Sequence, residues 1–293
     1  MIIKWLSNAA AFFLYLISLL PLRVLYIFSS LAYYIVFYIV KYRRNAVFEN
    51  LRNAFPDKDL EEIKQIEKRF FKYLADLIFE VIKLLSASPE YIKKRFRFVN
   101  EEIFREFEDK NQSFLMAVGH YGNWEWSAIT TSMVTKAKPL IVYKQLQNKA
   151  FDQTYKRIRE KSGAEMVEMT QTFRKIIEYK NKLIFAVFAG DQRPTGNGSY
   201  AWLKFMNQET PFFTGIEKIA KSTNYPVIYC DIRVPKRGHY EAEFIKITDN
   251  PRGTADLEIT NAYIRLLEKR LNQTPEYWLW SHKRWKIKPG DIK

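Results

Sequence analysis

His120 and Glu125 stand five residues apart in the stretch Phe114–Thr131, FLMAVGHYGNWEWSAITT. An imidazole can take up a proton near neutral pH, and a carboxylate on one ring nitrogen leaves the other facing a substrate as a base. The spacing decides whether the two can meet. On one continuous helix, five residues turn a side chain through about 140°, and the groups diverge. Across a strand-to-helix turn they can converge. Gly119 and Gly122 permit a tight backbone there. Asn123 is a candidate N-cap, which puts Glu125 in a first helical turn, where the helix dipole favours a carboxylate. The plain structural alternative is a histidine hydrogen-bonded at a strand end beside a first-turn glutamate.

A second candidate is the run Gly190–Ser199, rich in turn residues, after the apolar Leu183–Phe188. Arg193 can clamp a phosphate or carboxylate, and Asp191 can hold Arg193 or the acceptor. The alternative is a solvated turn with a local ion pair, worth little. Lys144 and Arg159 each offer a cation to an anionic headgroup, or simply face water. With Asn123 they complete the candidate substrate contacts. The three histidines, His120, His239 and His282, and the single Cys230 form no zinc pattern. The spacings H-E-x-x-H, G-x-S-x-G, the Walker loop and the dinucleotide fingerprint are absent.

These residues need a scaffold. Runs suited to strands, Ser113–Val118, Pro139–Tyr143, Glu165–Glu168, Leu183–Phe188, Pro226–Val234 and Tyr240–Ile247, alternate with the helix candidates Trp124–Val134, Ala150–Lys161, Thr172–Tyr179 and Phe213–Ser222. This βαβ rhythm predicts an α/β domain over 113–293, with a mixed, mostly parallel sheet flanked by helices. Ligands of such sheets sit beyond the carboxyl ends of the strands, where His120 falls. Residues 45–112 read as a helical segment, with Asp59 capping a long helix and Ser88-Pro89-Glu90 starting another. Trp202, Phe205, Met206 and Pro211–Gly215 are an apolar cluster suited to core or to a hydrocarbon tunnel. The tail Tyr277–Lys286 mixes aromatics with bases and suits a membrane interface, a nucleic acid or closure of the core.

Residues 9–40 hold no acid and one base, Arg23; Val24–Val40 as a helix reaches about 25 Å, the lower limit for a membrane span. The alternatives are interfacial helices, a signal peptide or a buried helix pair. Residues 1–44 are read as a membrane anchor, with Lys41, Arg43 and Arg44 placing the main body in the cytoplasm. The net charge of +15 favours anionic partners.

Taken together, GHYGNWEW at 119–126, the Asp191 loop leading to Pro211-Phe212-Phe213-Thr214-Gly215, the ending Pro275–Lys286 and the opening Asn50-Leu51-Arg52-Asn53-Ala54-Phe55-Pro56 resemble the bacterial lipid A biosynthesis acyltransferases, membrane enzymes with an H-x4-D/E signature. The resemblance implies a glycerol-phosphate acyltransferase-like fold with an N-terminal membrane helix at the inner membrane. It implies an acyl-carrier-protein thioester as donor and a hydroxyl of a phosphorylated lipid A precursor as acceptor. It implies no metal, no cofactor and no nucleic acid. His120 is then the general base, Glu125 its orienting partner, and Arg159 and Arg193 contacts for acceptor phosphate. Other glycolipid, phosphatidylinositol mannoside or aminolipid acceptors fit the same chemistry, and a basic nucleic-acid-binding protein at a membrane is the remote alternative.

Overall fold

The computed structural model describes residues 2–145, 148–194 and 198–290. Its strands are β1 (Phe96–Phe98), β2 (Phe114–Val118), β3 (Lys138–Tyr143), β4 (Glu165–Glu168), β5 (Ile184–Phe188), β6 (Tyr200–Phe205), β7 (Gln208–Phe213), β8 (Val227–Lys236) and β9 (His239–Thr248). Seven of them form one sheet in the order β1-β9-β8-β2-β5-β3-β4. Within it only β8 and β9 pair antiparallel. All five residues of β2 are buried, as expected of a central strand with both faces covered. β2 pairs with β5 so that Phe114 lies opposite Phe185 and Ala117 opposite Phe188.

Eleven α-helices stand among the described residues. They are α1 (Ile2–Leu19), α2 (Leu22–Tyr34, continued by a π-helical turn Ile35–Val40), α3 (Arg44–Ala54), α4 (Leu60–Lys83), α5 (Pro89–Lys93), α6 (Ile103–Asp109), α7 (Trp124–Thr131), α8 (Lys149–Glu160), α9 (Thr172–Glu178), α10 (Gly215–Thr223) and α11 (Glu258–Gln273). The expected helix starts hold. Asp59 accepts from the Glu62 amide, and Glu62 returns the bond in a full capping box. Ser88 caps α5 ahead of Pro89. The stretch Leu22–Val40 is long and apolar enough to cross a membrane.

Two elements depart from the sequence reading. The segment 45–112 is not wholly helical: β1 pairs parallel with β9 at the sheet edge, and three residues are too few for an alternating pattern to register. Between β5 and α10, where the sequence reading places an apolar cluster and no strand, the chain forms a separate hairpin of β6 and β7. Its two-residue turn, Met206-Asn207, has both φ values positive, 48° and 62°. That is the backbone a tight hairpin needs. Methionine does not advertise it. Met206 is held there by the hydrogen bond from its amide to Glu268 (2.6 Å) and by burial. Phe205 and Phe212 are packed core, edge to face at 5.2 Å.

Candidate active site

β2 and β5 run side by side to their last pair, Ala117 with Phe188, and each chain carries one functional residue three positions beyond it. The sequence offset between paired residues in the two strands is carried forward to His120 and Asp191. His120 Nδ1 lies 2.5 Å from Asp191 Oδ1, and the His120 amide donates to Asp191 Oδ2 at 2.8 Å. Asp191 is almost wholly buried, whereas the His120 side chain is 17% exposed. Nδ1 therefore faces the protein, and Nε2 is the nitrogen left for a substrate. Burial alone would raise the Asp191 pKa. The charge of His120, with the hydrogen bonds from its ring, the Trp278 indole and the His120 amide, overrides burial and draws it down to about 2. Gly119 lets the chain pass close to α11: a Cβ there would meet Leu267 Cδ1 at 2.8 Å, so that side chain would have to shift. Gly122 is required by its backbone, with φ +58°.

The C-terminal tail closes over this pair. Trp278 Nε1 donates to Asp191 Oδ2 at 2.7 Å. The Leu279 amide reaches the His120 carbonyl at 3.2 Å, and the Gly122 amide reaches the Tyr277 carbonyl at 2.9 Å. Tyr121 and Trp278 form an antiparallel bridge. Trp278, Trp280 and Arg284 are buried. Of the three readings of the tail, closure of the core is the one realised.

The expected bond from Glu125 to His120 is not the one formed. Glu125 begins α7 as predicted, behind Asn123, whose side chain accepts from the Trp126 amide. From there its carboxylate meets α8. Arg159 donates from Nε to Oε2 at 2.9 Å and from Nη2 to Oε1 at 2.7 Å, and Tyr155 donates to Oε1 at 2.9 Å. Trp124 Nε1 supplies a further donor at 2.9 Å, while its ring stands edge-on to His120 with centroids 5.1 Å apart. Arg159 and Glu125 are both buried. The helical start sets Glu125 toward the guanidinium, and Asp191 takes the place assigned to it. The tie expected between Asp191 and Arg193 is replaced by that with His120.

The other candidates scatter. Asn123 is fully buried and gives its amide to Glu80 at 2.7 Å, so its side chain is structural. Burial pushes the Glu80 carboxyl up to about 7, against hydrogen bonds from Tyr240, Tyr26 and Asn123. Lys144 is exposed just past β3. Arg159 is committed to Glu125 through Nε and Nη2. The Arg193 amide donates to His282 Nε2 at 3.0 Å, and its buried Nε has no partner among the described residues. Thr195, Gly196 and Asn197 of the predicted loop lie outside the described residues. Sequence reasoning passes over Arg284, which is buried with Nη2 on the Pro211 carbonyl at 2.6 Å and Nε and Nη1 unpartnered among the described residues. Burial lowers its pKa to about 10, and His282 is lowered to about 4, chiefly by burial and then by Arg284. Among the described residues there is no cluster of three or more metal-ligating side chains.

The fold is thus a mostly parallel sheet with a histidine–carboxylate pair beyond its strand ends, joined to an apolar N-terminal helix. The family model for bacterial lipid A biosynthesis acyltransferases matches residues 1–287, and the chain belongs to that family. A curated relative, the lipid A biosynthesis acyltransferase of Haemophilus influenzae (strain ATCC 51907 / DSM 11121 / KW20 / Rd), is 20% identical over 274 residues, covering 92% of this chain and 84% of its own.

Proposed function

We propose that this acyltransferase moves a fatty acyl chain from an acyl-carrier-protein thioester to a hydroxyl of a phosphorylated lipid A precursor, with His120 as general base and Asp191 as its partner. The observation that carries the mechanism is the His120 Nδ1–Asp191 Oδ1 contact of 2.5 Å, with the carboxylate buried and the ring edge exposed. Nε2 takes the proton of the acceptor hydroxyl as its oxygen attacks the thioester carbonyl. The imidazolium that forms is held by Asp191. Collapse of the tetrahedral intermediate expels the carrier thiolate, which takes the proton back from Nε2. Glu125 works at one remove from the chemistry. It neutralises Arg159 and sets α7 against α8, so that Trp124 walls the histidine. Arg193, whose buried Nε has no partner among the described residues, is a candidate for an anionic group of either substrate. The acidic carrier and the acceptor phosphates suit a chain of net charge +15.

The same reading attaches the protein to the inner membrane through residues 1–44, with the catalytic domain on the cytoplasmic side. The test is conversion of a lipid A precursor to a heavier species by the purified full chain with acyl-carrier-protein thioesters. Asp191→Asn should abolish conversion nearly as fully as His120→Ala. Full activity in either variant refutes the mechanism. The lipid class that loses one acyl chain in a deletion strain identifies the acceptor.

A further inference from the structure

α2 and its π-helical continuation do not leave the body of the protein. They lie antiparallel along α4 for most of its length. Lys83, at the end of α4, donates to the Ser18 and Leu20 carbonyls at 2.8 and 3.0 Å. Tyr26 donates to Glu80 at 2.6 Å, and Ser29 binds Asp76. Lys72 sits 5.6 Å from the Tyr33 ring centroid, and Phe37 packs on Phe71 at 5.4 Å. Arg44 closes the row with a two-pronged bond to Glu67, at 2.9 and 3.1 Å. The β8–β9 turn adds Arg237, which binds Asp76 and lies 4.3 Å from the Tyr26 ring. Ascending positions on one element meet descending positions on the other, with a polar or ionic contact near each end and in the middle.

The opposite face of the same helix is exposed and apolar. Ile27, Phe28, Leu31, Tyr34, Ile39 and Val40 head that surface, with Ile27 69% and Ile39 75% exposed. α1 continues it through Phe12, Phe13, Leu16 and Leu19. Residues 1–48 carry five bases and no acid.

We infer that Leu22–Val40 lies in the plane of one membrane leaflet and does not cross the bilayer. The partner is an anionic lipid surface, which takes the apolar face into its acyl region and the flanking bases against its headgroups. A spanning orientation would carry α4 into the hydrocarbon beside its partner. Lys72, Asp76, Glu80 and Arg237 would go with it, a cost in proportion to every charge moved. The inference rests on the membrane attachment proposed above and fixes its geometry: both ends of the segment stay on the side of the catalytic domain.

Arg23, one residue inside the start of the segment, and Lys41, just past its end, are exposed, and the only native thiol, Cys230, is buried. Arg23→Cys and Lys41→Cys, made separately in the full chain, can be probed with a membrane-impermeant maleimide in inverted and right-side-out vesicles from expressing cells. In-plane seating gives labelling of both variants in inverted vesicles and of neither in right-side-out ones. Labelling of the two variants from opposite sides overturns the inference while leaving attachment intact. Recovery of the wild-type chain in the soluble fraction at physiological salt overturns attachment and the inference together. A second readout uses the purified wild type: co-sedimentation with phosphatidylglycerol vesicles that falls at least tenfold with Ile27→Asp/Leu31→Asp/Ile39→Asp supports the seat, and undiminished binding counts against it.

Discussion

The two carboxylates near His120 have opposite employments. Asp191 sits where a loop leaves β5, takes three hydrogen bonds from His120 and Trp278, and leaves a ring nitrogen exposed. Glu125 sits on a helix, takes its bonds from Arg159, Tyr155 and Trp124, and is sealed from solvent. The first arrangement has an open side and is suited to moving a proton. The second is closed on itself and is suited to holding two helices. Nearness in sequence misleads about the contact: five residues separate His120 from Glu125, but the register of two parallel strands brings His120 to Asp191.

Substitution separates the two roles. The most severe change should come from His120→Ala, which should lower kcat by about three orders of magnitude, the usual cost of a lost general base, with little change in unfolding midpoint. Asp191→Asn should follow within about tenfold; if Glu125→Gln instead matched His120→Ala at unchanged stability, the roles assigned to the two carboxylates would be reversed. Glu125→Gln should act on stability, because it strands a buried guanidinium, at a cost of about 3–5 kcal/mol. Denaturant unfolding would measure this, and Arg159→Met in the same chain should recover most of the loss. Trp278→Phe removes one donor to a charged acceptor and should cost about 1.5–3 kcal/mol in transition-state stabilisation, seen as a fall in kcat at nearly constant KM.

A weaker response is expected in acid. The Asp191 pKa is depressed in the folded state, from 3.8 to about 2. Its contribution to stability is therefore complete above about pH 4 and is lost as the pH falls through about 2. Unfolding measured between about pH 5 and 2.5 should show a steeper acid limb for wild type than for Asp191→Asn. Parallel limbs would mean that folding leaves the Asp191 carboxyl where it titrates in the unfolded chain.

Much of the scaffold was legible because its signals are local. Asp59 with Glu62, Ser88 before Pro89 and Asn123 before Trp124 each state a helix start within four residues. The five-residue run at β2 states a buried strand. The partner of His120 was not legible in that way, since it lies 71 residues away. A signal did exist: Phe114–Val118 and Ile184–Phe188 are both apolar runs that stop at a glycine-containing loop, and in the register that pairs Phe114 with Phe185, His120 falls against Asp191. What could not be read is that these two runs are adjacent, because strand order is a property of the whole sheet. Arg284 was passed over for a related reason. An arginine in a run of bases, His282-Lys283-Arg284 with Lys286, looks like surface until the tail is seen to fold inward.

The fold subjects this enzyme to a timing rule. The residues that finish the site, Tyr277 to Leu279, are synthesised after everything they close over. While they remain in the ribosome, the His120 carbonyl and the Gly122 amide lack their partners, and Asp191 lacks the indole of Trp278. α1 and α2, by contrast, emerge ahead of the sheet. On the function proposed above, a nascent chain would meet its membrane before the tail had completed the working centre.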